Sequence, residues 1–87
     1  MTNEMMQSVF ASLKTGDVVE IHAKDHQPRK VTVGINNGRS VLVSSHAVRP
    51  GHVYGGLIAH QYNSTTLYYQ PTLQQKAWII TALVVVS

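Results

Sequence analysis

Five histidines, four acidic residues and no cysteine make up the side chains here that could bind a metal or move protons. The missing cysteines remove disulfides, thiolate metal sites and cysteine nucleophiles together. His22 and His26 straddle a predicted strand end, and His46 and His52 straddle Pro50, so no pair has a recognised ligand spacing and neither metal nor cofactor is expected. Phosphodiester cleavage by acid and base requires two imidazoles about a phosphate width apart and a cation for the developing charge. Nothing in the sequence sets two histidines side by side. The hydroxyls of "SSH", residues 44 to 46, lack an identifiable acid partner, which leaves nucleophilic catalysis unsupported. The expectation is a protein that binds rather than an enzyme.

Charge suggests what it binds. The formal net charge is +3, and residues 22 to 52 hold Lys24, Arg29, Lys30, Arg39 and Arg49 with His22, His26, His46 and His52, against Asp25 alone. Such a cluster attracts polyanions. A set of solvated loops and strand faces that keeps a small β protein in solution would carry the same residues, and both readings stand at this point. Only 13% of residues are charged, against about 25% in typical soluble domains, so less of this surface than usual is made for water. Burial between subunits would account for the deficit.

These residues have to be positioned by one domain, since 87 residues lie near the lower end of what buries a self-sufficient core. Oligomerisation or another staple is expected at this size. The first element reads as a short helix within residues 1–15: Met6, Val9, Phe10 and Leu13 fall on one stripe, Glu4 lies near the favourable end of the dipole, and Gly16 stands just past the last turn. From Asp17 the period becomes two. In "DVVEIHAK" Val19, Ile21 and Ala23 face one way, and in "KVTVGI" Val31, Val33 and Ile35 do the same, with Gly34 marking a bend or bulge. "NNG" predicts a tight turn because Asn and Gly tolerate positive φ, and "RSVLVSS" returns as a third strand. "HAVRPGHVYGG" reads as a loop, "LIAHQY" as a strand, "NSTT" as a turn and "LYYQ" as an extended segment ended by Pro71.

The chain closes with "KAWIITALVVVS", in which no charge follows Lys76. One helix with five or six short strands suggests a small, strongly bent barrel. Left in water, an uncharged β edge is an aggregation site, so this strand is either central within its own subunit or paired with another chain. No stretch reaches the roughly 18 apolar residues of a membrane helix, and the first residues lack the pattern of a signal peptide, so a soluble, cytoplasmic protein without membrane contact is expected.

Two stretches carry a family resemblance. "GDVVEIHAKDHQPRKVTVGINNGRSVLV", residues 16 to 43, resembles the first motif of the Sm and LSm proteins, which include bacterial Hfq, with Gly34 at the glycine of the bent second strand. "KAWIITAL", residues 76 to 83, is similar to the second motif, Arg-Gly-x-x-Ile-x-x-Ile, with Lys76 and Ala77 in the Arg-Gly places. The resemblance implies a mainly β fold, a single Sm-like domain over 1–87: a short N-terminal helix at 1–15, then a small, strongly bent five-stranded Sm-like barrel with 16–43 as first motif, 44–75 as the variable region and 76–87 as second motif and edge strand.

In that family the strand after the second motif pairs with a neighbouring copy and closes a ring, which here would cover the uncharged tail. The resemblance further implies that the loop Asn36 to Ser40 and the loop at Lys76 and Trp78 meet near a central pore. Single-stranded RNA would bind there. Lys76 would neutralise phosphate, Arg39 would stack on an unpaired base, and Asn36, Asn37 and Ser40 would bond base edges or 2′-hydroxyls. Trp78 reads more simply as a core residue. The alternative is a structural or protein-interaction ring without nucleic-acid binding, and a third possibility, a small nuclease, is tested by whether RNA is cut.

Overall fold

A computed structural model describes residues 2–44, 55–62, 64–72 and 74–86. The Thr2 side chain accepts a hydrogen bond from the Met5 amide and starts helix α1, Asn3–Ser12, whose first turn holds Glu4. A hydroxyl at this position satisfies one of the amides that an α-helix leaves without a partner. Met6, Phe10 and, just past the helix, Leu13 are buried, and Val9 packs beside them, so the apolar stripe lies against the barrel.

Six strands follow: β1 Val18–Ala23, β2 Arg29–Asn36, β3 Ser40–Ser44, β4 Gly56–His60, β5 Leu67–Gln70 and β6 Trp78–Val85. They close a barrel in chain order, every neighbouring pair antiparallel. The expectation of a mainly β chain with a short helix and a small barrel therefore holds, but the strands number six where five were expected. The difference arises in the middle region. "LIAHQY" and "LYYQ" pair with each other from Leu57 opposite Gln70 to His60 opposite Leu67, so this region supplies a hairpin of two strands. The period-two alternation explains why both are needed: Ile58, Leu67 and Tyr69 all point inward and fill the core with Val19, Ile21, Val33 and Leu83.

The bend at Gly34 is real and has a consequence for its neighbour. Val33 pairs with Val43 and Asn36 with Val41, so three steps along β2 match two along β3, the signature of a bulge. The extra residue shifts the alternation. Ile35, expected to point inward, is turned out and 50% exposed.

The uncharged tail has neighbours on both sides within its own chain. β6 runs beside β1 from Val85 opposite Val19 to Ile80 opposite Ala23, and beside β5 at Ile79 and Trp78. A register shift at Ala23 lets Thr81 bulge, its hydroxyl donating to the His22 carbonyl at 3.2 Å. The bulge makes Ile80 and Leu83, three apart, the inward residues, while Ile79, Val84, Val85 and then Val86 stay exposed. The strand is a barrel strand with exposed apolar side chains near both its ends and Thr81 between them.

Helix α1 is tied to one end of the barrel. Asn3 donates to the Thr65 hydroxyl at 2.7 Å, Gln7 donates to the Thr65 carbonyl, and Gln7 also bonds the His60 ring. The His60 ring lies 5.0 Å from that of Phe10. The loop expected at "HAVRPGHVYGG", with His46, Arg49 and His52, lies mainly outside the described residues.

Candidate functional site

In an antiparallel barrel whose strands follow one another in order, successive connections alternate between its two ends. One end carries the α1–β1 connection, the β2–β3 turn at residues 37–39 and the β4–β5 turn at 61–66. The other carries the β1–β2 turn at residues 24–28 and the β5–β6 connection at 71–77. The loops implied to meet at a pore therefore stand at opposite ends. With five strands they would be two connections apart and share an end; the sixth makes them three apart.

Asn36, Asn37, Arg39 and Ser40 are together at the first end. Asn36 already has partners inside the chain: its amide nitrogen donates to the carbonyls of Phe10 at 3.1 Å and Leu13 at 3.0 Å, and its amide oxygen accepts from the Gly38 amide at 2.8 Å. It ties the β2–β3 turn to the end of α1. Asn37 closes the turn through its backbone amide, 2.9 Å from the Ser40 carbonyl, and Gly38 supplies the positive φ, +84°, that the turn requires. Arg39 is exposed, and Ser40 is half-buried opposite Ala59.

Lys76 is at the second end, exposed, two residues before the start of β6. The connection that delivers it is held by the Gln70 side chain, which donates to the Gln75 carbonyl at 3.0 Å. Next along the chain, Trp78 opens β6 opposite Tyr69. The buried Tyr69 ring meets it edge-on, centroids 5.3 Å apart at 85°, and sets the angle of the indole. One part of Trp78 thus packs on the core as expected, and the rest is left at the surface.

One residue of the β1–β2 turn and the first residue of β2 complete this surface. The turn reverses through Asp25, whose φ of 64° is a left-handed conformation that Asp tolerates, and the His26 amide donates back to the Ala23 carbonyl at 3.3 Å. This reversal places the exposed His26 ring on Trp78, centroids 3.9 Å apart and planes within 9°. Arg29, the first residue of β2, has its guanidinium carbon 5.6 Å from the indole centroid, within cation–π range. Lys24, Lys30 and Lys76 are exposed. Asp25 is the acid in this turn, whereas Glu20, further along β1, has its carboxylate 2.7 Å from the His22 ring.

The surface combines an indole, an imidazole and exposed cations, groups suited to planar rings and anions. In the sequence His26 stands out as a member of the basic cluster and of a histidine pair without ligand spacing, and Arg29 as a member of the cluster alone. Their contact joins positions about fifty residues apart in sequence, and no local signal announces it; the one usable cue was a tryptophan two residues after a lysine at a strand start. Among the described residues no three metal-ligating side chains gather, and no helix is long and apolar enough to cross a membrane.

No family model, curated protein or solved structure matches the chain.

Proposed function

We propose that this chain is an Sm-like barrel that binds single-stranded RNA in the cytoplasm without cleaving it. The reading rests on one observation above the others: the half-exposed Trp78 carries His26 and Arg29 on its ring, with Lys24 and Lys76 from the same end of the barrel and Asp25 as the turn's acid. Cations that follow a phosphate backbone, combined with aromatic faces on which bases stack, are what single-strand recognition requires. Double-stranded nucleic acid fits less well, because its bases are already stacked and its grooves call for a protruding element. Asn37, Arg39 and Ser40 then form a smaller polar set at the opposite end, and Asn36 has a structural role there.

Binding of labelled U-rich and A-rich single strands across a salt series tests the reading. A steep salt dependence that Lys76→Ala makes shallower by about one phosphate contact supports it. Absence of binding at low salt contradicts it.

A second reading has its own observation. Ile79 near the start of β6 and Val84, Val85 and Val86 at and just past its far end are apolar and exposed, and exposed apolar side chains of this kind are available for contact between copies. A homo-oligomeric ring, with or without RNA, would use these side chains where one copy meets the next. A particle that stays monomeric at micromolar concentration in light scattering removes this reading and leaves RNA binding by a single barrel.

A further inference from the structure

We infer that His26 occupies the place of a nucleobase on Trp78, and that an unpaired base binds by displacing it. This rests on the RNA-binding reading above and specifies what the site does with a base.

Three observations lead to it. The His26 ring is stacked on the indole at 3.9 Å and 9°, the separation and parallel alignment of a stacked base. The two partners are held very differently. Trp78 is fixed from below by the buried Tyr69 ring and by its place in the β-ladder, whereas His26 is exposed and sits in a turn of exposed residues, 24 to 28. The closing amide of that turn is a long 3.3 Å from the Ala23 carbonyl. An imidazole also offers a smaller π surface than a purine, so replacing one by the other gains stacking area at little cost in hydration. Finally, Arg29 reaches the same indole, and Lys76 precedes Trp78 by two residues. A base on this platform would therefore have cations close to both its ring and its phosphate.

The reversal at Asp25 gives His26 a way to move. His26 lies outside the β1–β2 ladder, which begins at Arg29 opposite Ile21, so a shift of the turn leaves that pairing in place. In the free protein His26 shields the indole from water, and on binding it swings out with the turn.

Trp78 is the only tryptophan, so its emission reports on this site alone. The test titrates the protein with an oligoadenylate strand and with an abasic strand of the same length and charge. Oligoadenylate is expected to change Trp78 emission and to bind more tightly, while the abasic strand leaves emission unchanged. His26→Ala removes the competitor and is expected to tighten oligoadenylate binding roughly two- to tenfold, with abasic binding unaltered. Trp78→Leu, read by polarisation of labelled strands, is expected to weaken oligoadenylate on the order of tenfold and bring it level with the abasic strand. Because Trp78 also packs on the core, the His26 variant and the comparison of strands on the unaltered protein carry the test if Trp78→Leu does not fold. Equal binding of both strands with unmoved emission overturns the stacking inference and leaves the cationic face standing. Weaker binding by His26→Ala shows His26 to be a fixed contact and overturns displacement. Failure of both strands to bind overturns this inference and the proposed function together.

Discussion

Asn36 illustrates how one side chain can read as a ligand and serve as a brace. An amide in a polar turn beside Asn37, Gly38 and Arg39 has the donors and acceptor to bond a base edge, yet those atoms meet the carbonyls at the end of α1 and the Gly38 amide. Removing them takes the Asn36 donor from the Leu13 carbonyl and leaves the Phe10 carbonyl with the Leu13 amide alone, so Asn36→Ala is expected to lower stability by about 1–3 kcal/mol in chemical denaturation and to leave nucleic-acid affinity unchanged. Asp25 bears on binding in the opposite sense. Asp25→Asn keeps a residue that tolerates positive φ and deletes the negative charge in the turn. It is expected to tighten single-strand binding a few-fold at low salt, an advantage that fades as salt rises; equal affinity across the salt series would place the phosphates elsewhere. At this scale the sequence was partly legible: Lys76 and the basic cluster were visible as types, but their partners belong to distant segments.

Among the elements, those with strict alternation were readable and those governed by closure were not. β1, β2 and β3 follow from period-two patterns and an Asn-Asn-Gly turn, and the stripe Met6, Phe10, Leu13 gave the helix. Ile35 escaped because a bulge shifts the pattern by one residue, and a single glycine marks where the shift occurs without saying which side chain it turns out. β4 and β5 were visible as extended segments; that both join the sheet depends on pairing across the barrel. Gly56 shows how tight that pairing is. A Cβ there would stand 3.0 Å from the Gln70 carbonyl oxygen and 3.1 Å from that of Pro71, neither of which can yield without moving β5. Gly56→Val is expected to cost roughly 1–3 kcal/mol, observed as a lower midpoint in denaturant. Phe10→Ala would empty the position that joins helix to barrel, at about 3–5 kcal/mol. That is a large share of the roughly 5–15 kcal/mol by which such domains are stable, and the variant should be largely unfolded by circular dichroism at moderate temperature.

For the whole molecule, the parity of the strands decides where a site can be. A five-stranded plan brings the β2–β3 turn and the loop before the last strand to one end; the sixth strand sends them to opposite ends and gathers Lys24, His26, Arg29, Lys76 and Trp78 at one of them. Closure within the chain also gives the uncharged tail strand β1 along most of one side and β5 at Trp78 and Ile79 on the other, with Ile79 and Val84 exposed. Replacing Ile79 and Val84 by Lys is expected to leave the fold intact, since both point outward, and to abolish any self-association seen in light scattering. The central claim, that nucleic acid meets the barrel at the Trp78 end, is tested most directly by comparing Arg29→Ala with Arg39→Ala. Both remove one exposed cation from a chain of net charge +3, one from each end. The account predicts that Arg29→Ala weakens single-strand binding severalfold and flattens its salt dependence, with Arg39→Ala close to the unaltered protein; the reverse order would contradict it.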